Sequence, residues 1–535
     1  MSPTLFSEFA SACRQIGATR KRTLKVEVLA NFLRTLRPDE VVPAVTFFSG
    51  HAFPGADERV LDVGGQTVWK MDRKSNQSTL MLQPATLLDV YETFDRVAKA
   101  TGSGSRQKKG SLVETLLGRL DTSDTEYLLR IIFGEMRIGA VEGVMLDAIA
   151  AASSIQLEAV RRAYMLLGDL GRVALLSLTE GRAAVEAARV ELFVPIRPML
   201  AEMAQNPGEV FREHGGITAL EFKYDGARVQ LHGMDRRIRI FSRRLTDVTD
   251  SLPDVVKLVR ESIDTGARDF LVEGEVVAIG EGGKPYPFQD LMRRFKRVHD
   301  VKTMTTQVPL KLYLFDVIYL NGKMLIDAPN EERWAILQTL VRRDLLATRI
   351  VSSRVEDAKE LMQQAIQAGH EGIMAKDLKS SYTPGVRGKK WFKIKPVETL
   401  DVVIVAADWG SGRRKEWLSN YHLAVRDDQT GEYFLVGKTF KGLTDDEFSM
   451  ITEKLLALKT RATDYTIYVK PAIVVEVAFN EIQRSPHYRS KFALRFARIT
   501  RFRDDKRPED ADTQTKLATL YEDQFRFKAK GDFDN

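Results

Sequence analysis

The sequence predicts a multidomain protein of three folded units: an all-α N-terminal unit, an α+β middle unit and an all-β C-terminal unit. The chain has 535 residues, well beyond the ~250–300 at which a single hydrophobic core stops growing. Apolar residues recur at three- and four-residue spacing up to about residue 190, and period-two strand patterns take over beyond it. Two segments with neither pattern, VPIRPMLAE (194–202) and KPVETLD (395–401), separate the units, with expected bounds of 1–192, 193–398 and 399–535.

Composition narrows the class. Apolar residues make up 44% of the chain and charged residues 29%, the balance of a globular protein rather than a disordered or membrane one. No apolar run reaches the ~18 residues needed to cross a bilayer. The N-terminal residues lack the apolar segment and small-residue cleavage site of a secretory signal, which predicts a cytoplasmic protein. The single cysteine, Cys13, excludes an intramolecular disulfide and any zinc site of four cysteines or of two cysteines and two histidines. Lys and Arg outnumber Asp and Glu by 80 to 73, a net charge of +7 that fits a polyanionic partner without requiring one. The cations concentrate in RQKKG (106–110), RRIRIFSRR (236–244) and RRFKR (293–297); each run suits a solvated face as well as a phosphate backbone.

In the N-terminal unit, Leu128, Ile131, Ile132 and Met136 form one helix-packing stripe, and Met145 and Ile149 belong to another. One segment interrupts the helical pattern. TGSGSRQKKGSL (101–112) joins Gly and Ser to three cations and is expected to be a loop, either a solvated connector or one that follows a phosphate backbone.

Each X-Pro step in VPIRPMLAE disfavours helix, so this segment is expected to be extended. Beyond it, ALEFKYD, ARVQLHG, RIRIFSR, FLVEGEVVAI, KLYLFDVIYL, EGIMAKD and WFKIKP read as strands, with helical cover from SLPDVVKLVRESI (251–263) and NEERWAILQTLVRR (330–343). After KPVETLD, the strands DVVIVAADWG, YHLAVRD, EYFLVGKTF and AIVVEVAFN predict a small barrel. The tail after Arg507 is acidic and then mixed, and fraying is expected there.

Strand geometry groups the charged residues. Side chains two apart on a strand share a face, roughly 6.5–7 Å apart. Glu221 and Lys223 therefore share a face, as do Glu273 and Glu275, and Lys393 and Lys395. On strands otherwise rich in Val, Ile, Leu and Phe, these charges either alternate toward solvent or line a common polar cleft. A cleft holding Lys223, Lys393, Lys395 and nearby arginines would disfavour protonation of one more amine, which is what a nucleophilic lysine requires. Glu275 and Glu371 could then hold a magnesium ion, whose oxygen preference suits carboxylate and phosphate alike.

The string KYDGAR (223–228) resembles the Lys-x-Asp-Gly signature of the covalent nucleotidyltransferases. Downstream, FSRR (241–244), VEGEVV (272–277), LYLFDV (312–317), EGIMAK (371–376), WFKIK (391–395) and RITRFRDDK (498–506) follow in the order and spacing of that superfamily's later motifs. YLLRIIFGEMRIGAVEGVMLDAI (127–149) is similar to the helical DNA-binding domain of ATP-dependent DNA ligases, and VVIVAADWGSGRRK (402–415) resembles the opening of their OB-fold. The resemblance spans the chain, with one departure: Ala497 stands where the family usually has proline.

The resemblance implies an all-α DNA-binding domain, an α+β nucleotidyltransferase domain and an all-β OB-fold domain. It implies ATP and Mg2+ as cofactors, nicked double-stranded DNA as substrate, and a monomer that encircles the duplex, associated with the nucleoid in a prokaryote. Lys223 would carry AMP as a phosphoramidate. Glu221 would accept from the adenine amine and Phe315 would stack on the ring, although Phe315 within LYLFDVIYL also reads as a core residue. Arg228 and Arg243 would contact the sugar and phosphates, Lys393 and Lys395 the α-phosphate, and Arg387 would be the family's basic nucleotide-binding residue just ahead of them. Glu275 and Glu371 would serve the metal or the ribose, with Glu273 ranked behind Glu275. Arg503 and Lys506 would orient pyrophosphate, and Arg106, Lys108, Lys109 and Arg137 would contact DNA. RNA-ligating and capping relatives share the lysine, but capping enzymes usually lack so large a helical unit ahead of it. NAD-dependent ligases carry a four-cysteine zinc finger, which one cysteine excludes. A non-catalytic DNA-binding scaffold would not need Lys223, Glu371, Lys393 and Lys395 together.

Overall fold

In the computed structural model, the described residues are 2–54, 57, 59–63, 83–204, 206–263, 266–295, 305, 307–396 and 398–529. Ten helices lie between Phe6 and Glu186 among them. Their spacing buries an aromatic core in which Phe9 meets Phe48 at 4.6 Å between ring centroids and Phe47 meets Phe94 edge-on at 5.6 Å. Helix ends are set by side chains. Thr86 Oγ1 accepts from Asp89 N at 3.1 Å, and the Asp89 carboxylate accepts from Thr86 N at 2.8 Å, starting the helix Leu87–Lys99.

The expected loop at 101–112 is largely helix. Gly102 and Gly104 take positive φ, and a helix then runs over Ser105–Leu117. The three- and four-residue spacing of Val113, Leu116 and Leu117, all buried, carries the segment into the core and overrides its Gly and Ser content.

The middle unit consists of two five-stranded sheets. Its strands are β1 Leu200–Met203, β2 Thr218–Lys223, β3 Ala227–Met234, β4 Arg237–Ser242, β5 Asp269–Ala278, β6 Leu310–Leu320, β7 Lys323–Met324, β8 Arg349–Ser352, β9 Gly372–Lys376 and β10 Arg387–Ile394. The first sheet has the order β1-β10-β9-β2-β8 and the second β4-β3-β5-β6-β7. The end of the segment expected to be a free linker joins the first sheet, because β1 pairs in parallel with β10. The helical segments Pro253–Ser262 and Asn330–Leu340 cover the second sheet.

The C-terminal unit is a sheet of seven strands: β11 Glu398–Trp409, β12 Leu418–Arg426, β13 Tyr433–Thr439, β14 Lys459–Ala462, β15 Thr466–Val469, β16 Val474–Phe479 and β19 Arg498–Phe502. Strands β17 Glu481–Arg484 and β18 Phe492–Arg495 form a separate hairpin. Long β11 pairs with β12, β15 and β16, so one strand ties the unit together. The tail does not fray over its described residues. A helix spans Gln514–Asp523, Gln524 bonds both backbone groups of Ile482, and Lys528 pairs with Asp225 of the middle unit.

Buried ion pairs pin the middle unit. Arg333 bonds both oxygens of Asp316 at 2.7 and 3.0 Å, and neither side chain is exposed. Replacing Arg333 by Ala leaves a bare buried carboxylate and should lower stability by about 3–5 kcal/mol; thermal melts of the folded variant check this.

Candidate active site

Lys223 ends β2, and register pairs it with Gly372 at the start of β9. The Glu371 amide donates to the Lys223 carbonyl at 3.0 Å, holding the two residues side by side. Two glycines make this crowding possible. A Cβ on Gly226, in the KYDG string, would lie 2.4 Å from the Val276 carbonyl oxygen, and one on Gly372 would lie 2.3 Å from that of Ile394. Strand β5 thus approaches from one side and the end of β10 from the other.

The Lys223 ammonium is ion-paired with Glu371, and Lys395 Nζ reaches the same carboxylate oxygen at 2.5 Å. Burial would raise the Glu371 carboxyl, but Lys223 and Lys395 hold it down at about 2. Glu371, expected beside these lysines, lies between Lys223 and Lys395 and is shared by both. Lys393 completes the group. Burial, then Lys223, Arg387, Lys395 and Arg243, all lower its ammonium below the ordinary lysine value, so these five cations act on one region. Arg243 and Arg387 are exposed at its edge.

The two glutamates of β5 have different surroundings. Glu273 is fully buried; it accepts from Arg228 at 2.6 Å, Tyr382 at 2.7 Å and Gln230 at 3.0 Å. Glu275 is half-buried among Lys223, Arg228, Glu371 and Asp225. Burial pushes its carboxyl up to about 7, the two cations opposing and the two carboxylates adding. Among the described residues no cluster of three or more metal-ligating side chains occurs. The pair Glu275 and Glu371 still fits magnesium, which is commonly bound through one or two carboxylates together with substrate phosphates and water.

Other expected residues are more committed than the sequence suggests. Both oxygens of Glu221 are occupied, by Arg349 at 2.9 Å and Lys376 at 2.7 Å. Arg228 donates to the Met199 carbonyl at 2.7 Å as well as to Glu273. Phe315 is half-buried rather than in the core; Lys376 and Arg228 lie over its ring at 4.5 and 5.3 Å. Arg503 and Lys506 both hold Asp401 Oδ2 at 2.7 Å, within the C-terminal unit.

The basic runs divide. Arg106 and Lys108 are exposed, whereas Lys109 turns inward and donates to the Leu61 carbonyl at 2.9 Å, which corrects its expected DNA contact. Arg137 is exposed, at φ 46°, and lines a cavity of about 880 Å3 together with Arg197 and Arg244. In 236–244, Arg239 pairs with Asp247 while Arg243 and Arg244 stay exposed. In 293–297, Arg294 is buried against Asp254 and the Val308 carbonyl, and Lys296 and Arg297 lie outside the described residues. Arg349, Tyr382, Asp401 and Lys528 escaped the sequence reading, since each acts on a partner far away in the chain; only Tyr382 carries a signal, its place in YTPGVR beside Arg387.

Such a cation-lined cleft defines a site for a phosphorylated ligand. Comparison with known proteins makes the class specific. The model of the ATP dependent DNA ligase domain matches residues 198–395, that of the ATP dependent DNA ligase C terminal region 414–506, and that of the DNA ligase N terminus 5–75 and 71–150. A DNA ligase of Thermococcus onnurineus is 40% identical, covering 99% of this chain and 100% of its own. A DNA ligase 1 of Korarchaeum cryptofilum is 41% identical over 98% and 99%, and a probable DNA ligase of Anaeromyxobacter dehalogenans 40% over 97% and 99%. A solved structure described as Pmar-Lig_Pre has the same fold at 17% identity and a TM-score of 0.54, covering 93% of this chain and 99% of its own. The chain belongs to the ATP-dependent DNA ligase family and is an enzyme of that kind. No described helix is long and apolar enough to cross a membrane.

The raised Glu275 carboxyl gives a signed prediction. Because its folded value near 7 lies above the ordinary 4.5, its stabilising contribution is present in acid and is lost as pH rises through about 7; each tenfold displacement is worth about 1.4 kcal/mol. Melting curves between pH 5 and 8 should show the wild type losing stability relative to Glu275→Gln as pH rises.

Proposed function

We propose that this ligase seals single-strand nicks in duplex DNA through a lysyl-AMP on Lys223, in three phosphoryl transfers at one site. The observation that carries this reading is the Lys223–Glu371–Lys395 cluster at the meeting of β2, β9 and the end of β10. Lys223 Nζ attacks the α-phosphorus of ATP, forming the N–P bond as pyrophosphate leaves. AMP then passes to the 5′-phosphate at the nick, and the 3′-hydroxyl displaces AMP to close the backbone.

Lys223 must leave its ion pair with Glu371 and lose a proton before it attacks. Lys393 and Lys395 spread the charge on the α-phosphate, with Arg387 and Arg243 beside them. Glu221, oriented by Arg349 and Lys376, presents its remaining lone pairs to the adenine amine, and Phe315 supplies the stacking face. Three of the five N–H groups of Arg228 are committed, to Met199, Glu273 and Tyr382, which leaves Nε–H and the second N–H of Nη1 for the nucleotide. Magnesium, held by Glu275 and Glu371, would supply charge neutralisation at the phosphates. Arg503 and Lys506 would leave Asp401 to orient the pyrophosphate.

The units 1–192, 193–398 and 399–535 serve as DNA-binding, adenylation and OB-fold domains of a cytoplasmic monomer that encircles nicked DNA. Arg106, Lys108 and Arg137 make sequence-independent phosphate contacts.

Incubation with α-labelled ATP and magnesium should label the wild type and leave Lys223→Ala unlabelled; an unlabelled wild type, or a labelled alanine variant, would overturn the covalent route. Preferential sealing of nicked RNA over nicked DNA would sink the substrate reading. Replacing Arg106 and Lys108 by Ala should weaken nick binding and reduce the slope of log affinity against log salt by roughly two. Lys109→Ala should instead lower the melting temperature.

A further inference from the structure

We propose that Tyr382 is a positioning residue for the nucleotide site: its hydroxyl locks Arg228, Glu273 and the linker at Met199 into one arrangement. The inference rests on the reading that Arg228 contacts the bound nucleotide.

A phenol hydroxyl offers one donor and two acceptor lone pairs, and Tyr382 uses all three. Its oxygen accepts from the Met199 amide at 2.9 Å and from Arg228 Nη2 at 3.2 Å, and it donates to Glu273 Oε2 at 2.7 Å. Arg228 closes the ring by donating through Nη1 to the Met199 carbonyl at 2.7 Å and through Nη2 to Glu273. Both backbone groups of Met199 are thereby tied to the pair. Gln230, two residues further along β3, repeats the pattern at Ile196, three residues before Met199. It accepts from the Ile196 amide at 3.1 Å, donates to the Ile196 carbonyl at 2.6 Å and reaches Glu273 Oε1 at 3.0 Å.

Tyr382 is itself immobile. It is 2% exposed, its amide bonds the Ile326 carbonyl at 2.8 Å, and its ring meets Trp391 edge-on at 5.9 Å. The hydroxyl is thus a fixed point from which the guanidinium takes its plane. With both Nη atoms held, the Nε–H has a single direction and no partner in the protein. Burial, followed by the Glu273 charge, raises the Tyr382 hydroxyl well above the ordinary tyrosine value, so it stays a donor throughout the working pH range. The loop that carries Tyr382 leads directly into Arg387, so one segment supports Arg228 from behind and supplies a cation at the cleft edge.

The test is a double-mutant cycle on full-length protein, reading the initial rate of lysyl-AMP formation against ATP concentration at saturating magnesium. Tyr382→Phe keeps the ring and its packing on Trp391. It should raise the KM for ATP about tenfold, the scale of one hydrogen bond to a charged group, with the maximal rate changed by less than about twofold. The reference background is Arg228→Met combined with Glu273→Gln, which removes the arginine without leaving a bare buried carboxylate. There, Tyr382→Phe should change KM by less than about twofold, because the group it positions is gone. An equal factor in both backgrounds, an unchanged KM in the single variant, or a fall in maximal rate at constant KM would each overturn the role of Tyr382 alone. A wild-type KM in the reference background would instead remove the nucleotide contact of Arg228, and the inference with it.

Discussion

Gly226 and Gly372 have no side chain where a methyl carbon would meet the carbonyl oxygens of Val276 and Ile394 at 2.4 and 2.3 Å. That absence lets strands from two different sheets converge on the end of β2. Every charge in the cleft depends on it. With β5 held away by a methyl group, Glu275 would lose its place beside Lys223; with the end of β10 held away, Lys395 could not share Glu371. The two glycines stand close to Lys223 and beside Glu371 in the sequence, in KYDG and EGIM, where other strands approach most closely.

Carboxylates balance several of the cations around the cleft and in the C-terminal unit. Glu371 holds Lys223 and Lys395, Glu221 holds Lys376 and Arg349, Glu273 holds Arg228, and Asp401 holds Arg503 and Lys506. A buried cation without such a partner would be costly, so these cations stand as halves of ion pairs. An anion that approached them would exchange one partner for another. This limits the net gain on binding and keeps the cations from collapsing onto unrelated surfaces.

Much of this was legible from residue patterns. Period-two alternation located the strands, and the shared-face rule put Glu221 with Lys223 and Lys393 with Lys395. The same rule could not separate Glu273 from Glu275, since both lie on one face of β5; their difference arises from Tyr382 and Gln230, which reach only Glu273. Lys109 and Arg294 read as surface cations because composition carries no direction, yet each finds a backbone carbonyl inside the fold. The helix over Ser105–Leu117 was hidden by the Gly and Ser around its start, and the order of the tail by contacts hundreds of residues distant.

The pairing of Lys528 with Asp225 spans 303 residues. Asp225 emerges from the ribosome with the middle unit, whereas its partner is made 303 residues later. At about 5–20 residues per second, the aspartate of the KYDG string waits roughly 15–60 s for Lys528. During that interval the middle unit can close its own sheets, but the Asp225 carboxylate lacks its ion-pair partner. The surface formed by Pro285, Gly369 and Asp225 is covered by Phe527, Lys528 and Ala529 only once the C-terminal unit has been made. A nascent ligase therefore lacks the ion pair of its KYDG string until Lys528 has been made.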